Sequence, residues 1–128
     1  MPGERILIVD DNATNLKLVA YLMKANGYTV ETALDAESAI LAIRDNHPDV
    51  ILMDIQLPGI DGLELTRRLK ADPATRDIVI VAVTAYAMKG DQAKALAAGC
   101  DDYITKPIDT RALPEIIAQH LAKREVVS

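Results

Sequence analysis

Five polar residues close or follow short apolar runs: Asp10 and Asp11 after Arg5–Val9, Asp54 after Val50-Ile51-Leu52-Met53, Thr84 after Ile78–Val83, and Lys106 after Asp102–Thr105. Three carboxylates brought together repel, and at neutral pH they either raise a pKa or recruit a cation. Hard oxygen donors suit Mg²⁺, which keeps several waters and favours a site completed by a phosphate. A hydroxyl and an ammonium are the groups that hold a phosphoryl oxygen. The chemistry this set implies is phosphoryl transfer onto a carboxylate, assisted by Mg²⁺. Asp54 is the best acceptor, because its strand lies in the middle of the sheet, between the acidic side and the Thr84/Lys106 side. An acyl phosphate would form there by in-line attack on a phosphodonor, with Mg²⁺ and Lys106 neutralising charge on the moving group.

Taken singly, each residue has a plainer role. Asp10, Asp11 and Asp35 suit helix caps, Thr84 an ordinary β-branched strand position, and Lys106 a solvated surface charge. Their joint placement at four strand ends is what favours chemistry. That placement requires a fold that gathers strand ends on one edge.

The run from Asp49 to Asp54, opened by Pro48 and apolar throughout its middle, reads as a parallel strand buried on both faces. Arg5–Val9 is an earlier strand. Leu16, Val19, Ala20 and Met23 recur at helical spacing between Ala13 and Asn26, and Gly27 supplies the left-handed residue that commonly ends a helix. Tyr28–Ala33 carries β-branched residues and reads as a strand. Asp35 is the expected N-cap of a helix to about Asn46, which Pro48 prevents from continuing. After a loop rich in Pro and Gly, an amphipathic helix around Leu63–Lys70 ends near Asp72-Pro73. Ile78–Val83 is a further apolar strand, Lys89–Ala98 an alanine-rich helix closed by Gly99, and Asp102–Thr105 a brief strand. A last helix lies between Asp109 and Arg124. Pro114 requires either an irregular first turn or a start close to itself.

Strands alternating with helices five times predict an α/β fold: a doubly wound, five-stranded parallel sheet with right-handed crossovers and five helices on its two faces. In such sheets ligand groups gather beyond the carboxyl ends of the strands. With 128 residues, the chain has room for one domain, expected to span 1–128 with a core of about 4–124. Four Tyr with no Phe or Trp leave an aliphatic core. A net charge of −5 argues against direct nucleic-acid binding and offers nothing to an anionic membrane. No stretch has the length of a transmembrane helix or the pattern of a signal peptide, so a cytoplasmic location without membrane insertion is expected. The single cysteine, Cys100, excludes an internal disulfide. His47 and His120 have no evident partner and are not expected to act as phosphodonors or ligands.

Asp10-Asp11, Met53-Asp54 with Leu57-Pro58-Gly59 and Asp61-Gly62, Thr84-Ala85, and Lys106-Pro107 together resemble the receiver domain of bacterial two-component response regulators. The resemblance covers nearly the whole chain in order. The stretches Ile51–Pro58 and Val81–Asp91 look particularly like DivK-type single-domain regulators and are also similar to receivers attached to hybrid histidine kinases. The resemblance implies the flavodoxin-like strand order 2-1-3-4-5, with Asp54 as phosphoacceptor. It implies Asp11 as a direct Mg²⁺ ligand, Asp10 as a ligand acting largely through water, and the Gln56 backbone carbonyl as a further one. Thr84 matches the switch hydroxyl, Lys106 the phosphate-binding lysine and Tyr103 the switch aromatic. Ala85 leaves the phosphate accessible, Gln56 and Tyr86 adjust attack by water, and the bond before Pro107 is expected to be cis.

The partners implied are a histidine kinase or His phosphotransfer protein, docking beside Asp54 and the first helix, and a downstream effector reading the face of helix 4, strand 5 and helix 5. The chain itself is expected to be a monomer or a weak phosphorylation-dependent dimer. It would catalyse only its own phosphorylation and dephosphorylation, as a regulator and not as an enzyme. The alternatives within the family are a receiver excised from a hybrid kinase or larger regulator, and a degenerate receiver that only binds protein. Other classes fit less well. A flavodoxin-like carrier needs a phosphate loop where Asp10-Asp11-Asn12 stands, and an Asp-nucleophile phosphatase needs a general acid where Gln56 stands. A nucleotide-driven kinase needs a glycine-rich loop that is absent.

Overall fold

A computed structural model describes residues 4–55, 62–84, 91–105 and 108–127. The strands are β1 (Arg5–Val9), β2 (Thr29–Ala33), β3 (Val50–Asp54), β4 (Val79–Thr84) and β5 (Asp102–Thr105). The helices are α1 (Ala13–Ala25), α2 (Ala36–Asp45), α3 (Gly62–Ala71), α4 (Asp91–Ala98) and α5 (Ala112–Val127). All strand pairs are parallel, in the order β2-β1-β3-β4-β5. The expected α/β architecture and strand order are both present.

The pleat divides the apolar residues between two layers. Leu7, Val9, Ile51, Met53, Ile80 and Ala82 pack under Ala39 and Ile43 of α2, Leu65 and Leu69 of α3, and Ala95 of α4. Ile6, Ile8, Leu52, Val81 and Val83 pack under Leu16, Val19 and Met23 of α1 and Leu113, Ile117 and Leu121 of α5. Three helices therefore cover one face and two the other. Because β3 and β4 are covered on both faces, every residue in them is buried, which is why they read as continuous apolar runs. The edge strand β2 exposes Thr29 and Thr32.

Local signals set the helix ends. Asn12 caps α1, its side chain accepting from the N–H groups of Thr14 and Asn15 at 3.0 and 3.1 Å. Asp35 caps α2 through a 2.7 Å bond from the Ser38 N–H, as expected. Gly27 follows α1 with φ 92° and Gly99 follows α4 with φ 108°, both left-handed. Ahead of α5, Asp109 Oδ1 accepts from the N–H groups of Arg111 and Ala112 at 2.9 and 3.2 Å. The helix starts at Ala112, so Pro114 falls in its first turn, where the missing N–H had no intrahelical partner to lose.

Away from the carboxyl edge, Lys70 at the end of α3 reaches the start of β4. Its Nζ donates to the Ile78 carbonyl at 2.7 Å and to Asp101 Oδ2 at 2.9 Å, and the same Asp101 oxygen accepts from the Ile80 N–H at 2.8 Å. His120 of α5 lies 2.9 Å from Asp102 Oδ2 on β5. The sequence reading missed this pair because it spans two elements, but the contact adds no His120 to the carboxyl edge. No helix among the described residues is long and apolar enough to cross a membrane.

Candidate functional site

β1 and β3 are neighbours, with Val9 in register with Met53, so the residues that follow them emerge side by side. Asp10, Asp11 and Asp54 each offer a carboxylate oxygen, and these oxygens all lie within 4.8 Å of one another. Asp10 and Asp54 are 5% and 4% exposed, whereas Asp11 faces solvent. Two nearly buried carboxylates this close carry a desolvation and repulsion cost that partners or a cation must offset. The donor set is all oxygen, anionic and open to water on one side. That is the chemistry a hard divalent cation such as Mg²⁺ takes.

The backbone fixes this arrangement. Asp10 donates its N–H to the Ala33 carbonyl at 3.1 Å, which ties the end of β1 to β2. Its Oδ1 accepts from the Asn12 N–H at 2.9 Å. Capping of α1 falls to Asn12, so the cap role considered for Asp10 and Asp11 is taken by the next residue. The run Asp10-Asp11-Asn12 carried this signal, since Asn ranks with Asp as a cap.

On the other side, Asp54 is in register with Val83, and the Ile55 N–H donates to the Val83 carbonyl at 3.2 Å. Thr84 is the next residue of β4, fully buried, and is paired with Thr105 of β5. Asp54 and Thr84 therefore end adjacent strands. Lys106 follows Thr105 directly but lies, with Gln56, Ala85, Tyr86 and Pro107, outside the described residues. Tyr103 on β5 is half-buried against the α2–α4 layer and also borders a groove of about 330 Å³. Ile108, Ala112 and Ile116 line that groove from the α5 side. Leu113 and Ile117 are core residues, whereas Ile116 is only partly covered and belongs to the groove.

Gly62 entered the sequence reading only as part of the Asp61-Gly62 motif, with no contact assigned to it. It opens α3 against the Asp54–Ile55 peptide, and its N–H donates to the Ile55 carbonyl at 3.3 Å. A glycine in a loop motif gives no sign of which backbone it will meet.

Known proteins share this sequence and fold. A family model for the response regulator receiver domain matches residues 6–118. The chain is 48% identical over 117 residues to the polar-differentiation response regulator DivK of Brucella ovis, covering 91% of this chain and 94% of that protein. Among solved structures, a CheY-like response regulator receiver domain protein from Methanospirillum hungatei JF-1 superposes with a TM-score of 0.91. Its identity is 32%, over 98% of this chain and 99% of that one. The signal receiver domain of a signal transduction histidine kinase from Syntrophus aciditrophicus gives a TM-score of 0.87 at 30% identity, over 94% and 92% of the two chains. The acidic edge of a 2-1-3-4-5 sheet and a family match across most of the sequence agree, and the chain belongs to the response regulator receiver family of two-component signalling.

Proposed function

We propose that the chain is a phosphorylation-controlled switch in which Asp54 accepts a phosphoryl group from the phosphohistidine of a histidine kinase or His phosphotransfer protein. The observation that carries this reading is the carboxylate cluster, with nearly buried Asp54 at the end of a central strand. Asp10, Asp11 and Asp54, with the Gln56 carbonyl, would hold Mg²⁺, which supplies charge neutralisation at the transferring phosphoryl group. An Asp54 carboxylate oxygen attacks phosphorus in line, the O–P bond forms as the P–N bond breaks, and the imidazole leaves. Lys106 balances charge on the phosphoryl oxygens. The Thr84 hydroxyl donates to one of them, and Tyr103 follows Thr84, so the phosphorylated state presents a different surface around α4, β5 and α5. This is a shift between two populations, driven by contacts the phosphate makes in only one of them.

In this reading the chain is a single receiver unit acting in the cytoplasm, which modifies itself and passes the signal to an effector protein. A second reading, a receiver forming part of a hybrid histidine kinase, draws support from the likeness to the Syntrophus aciditrophicus kinase receiver. Both readings use the same chemistry at Asp54.

Intact-protein mass after incubation with a small acyl phosphate tests the proposal. One added phosphate is expected for the native chain with Mg²⁺, and none without Mg²⁺ or in Asp54→Asn. An adduct that persists in Asp54→Asn refutes the assignment.

A further inference from the structure

The first turn of α3 bears directly on the strand end that carries Asp54. A Cβ placed on Gly62 would collide with the Asp54 carbonyl oxygen and lie 2.7 Å from Ile55 Cα. Both are backbone atoms, so no side-chain rotation relieves the overlap. Gly62 shows no positive φ, so what demands glycine is space and not conformation. The Gly62 carbonyl is in turn held from inside the helix, where Thr66 Oγ1 donates to it at 2.7 Å. Thr66 is fully buried and its hydroxyl lies 3.9 Å from Cys100 Sγ, so it has no room to swing away. A Thr bonded to the carbonyl four residues back often bends a helix, and here that bond lies in the turn that touches Asp54–Ile55.

We infer that Gly62, braced by Thr66, is a positioning residue that sets the direction in which the Asp54 carboxylate leaves β3. The inference rests on the reading of Asp54 as phosphoacceptor, but the positioning itself concerns the peptide and the cation site. Pushing the Asp54–Ile55 peptide away would misdirect the carboxylate relative to Asp10 and Asp11. A misplacement near 1 Å at reacting atoms lowers rates by roughly 100-fold.

The test compares Gly62→Ala and Thr66→Val with Leu65→Val, a control that loosens the same helix from its core face. Three quantities are measured on the full chain: the Ile55 amide shift in metal-free protein, Mg²⁺ affinity, and phosphorylation rate with a small acyl phosphate. Gly62→Ala is expected to move the Ile55 amide, weaken Mg²⁺ binding and slow phosphorylation by roughly 10- to 100-fold. Thr66→Val shifts all three in the same direction by less, and Leu65→Val changes stability with rate and affinity near native. Equal rate losses in Gly62→Ala and Leu65→Val at matched stability overturn the inference. If Gly62→Ala does not fold, native behaviour of Thr66→Val in all three readouts overturns it instead. A native chain that takes no phosphate defeats the phosphoacceptor reading alone, and the amide shifts and Mg²⁺ affinities then decide the positioning.

Discussion

At the scale of single residues, the candidate site was legible where a polar side chain interrupts an apolar run. Asp54 and Thr84 stand at the ends of strands buried along their whole length, so their polarity has no packing purpose. Gly62 and the His120–Asp102 pair were not legible, because their partners lie in other elements or in the backbone. The buried Thr84 carries a separable prediction. Thr84→Val keeps the β-branched shape and removes the hydroxyl, at a cost of about 1 kcal/mol in stability. On the proposed reading, Asp54 should still take a phosphate in this variant, while the change in the Tyr103 resonances expected on phosphorylation of the native chain is lost. Thr84→Ser should retain that change, and two-dimensional NMR of the phosphorylated proteins separates the three.

At the scale of elements, caps, composition and apolar periodicity located the helices seen among the described residues, and the departures came at the ends. Pro114 left the start of α5 open in sequence because proline is excluded from a helix interior but welcome in a first turn; Asp109 fixes the answer by capping from outside. Asp35 makes the cap of α2 titratable. The Ser38 backbone N–H, with its side chain as a second contribution, holds the Asp35 carboxyl below its ordinary value of 3.8. The folded state thus binds this proton less tightly than the unfolded chain does. The stabilisation is present above 3.8 and is lost as pH falls through the lower folded value. Urea midpoints of native protein and Asp35→Ala should differ at pH 7 and converge at strongly acid pH. A constant difference would mean that the carboxylate charge contributes nothing.

At the scale of the whole molecule, alternation of strands and helices gave the fold class, but the strand order came from resemblance to a family. Hydrophobic runs do not say which strand lies beside which, nor that three helices share one face. Cys100 reports on the integrity of this assembly, since it is buried where α4 gives way to β5 against Thr66 of α3. Burial first, and the Asp101 charge secondarily, push its thiol above the ordinary 9.0, with Thr66 and Lys70 opposing. The unfolded chain therefore loses this proton first, and stability falls as pH rises above 9.0 toward the folded value. A thiol reagent at pH 8 should label the native protein only through global or sub-global opening, at a rate that rises with urea. Rapid labelling in the absence of urea would show that the α3–α4 layer opens locally. The strand order also sets a timetable. β1 lies between β2 and β3, and the carboxylate cluster joins residues 10 and 11 to residue 54, so its halves are made far apart in synthesis. A chain emerging from the ribosome can form the β1–α1–β2 segment early, yet it has no complete carboxylate cluster until β3 inserts beside β1. Neighbour pairings this distant along the chain are slow to close. On the proposed reading, a nascent or truncated copy would be unable to intercept a phosphoryl group meant for finished protein, because the three carboxylates meet only once the centre of the sheet is complete.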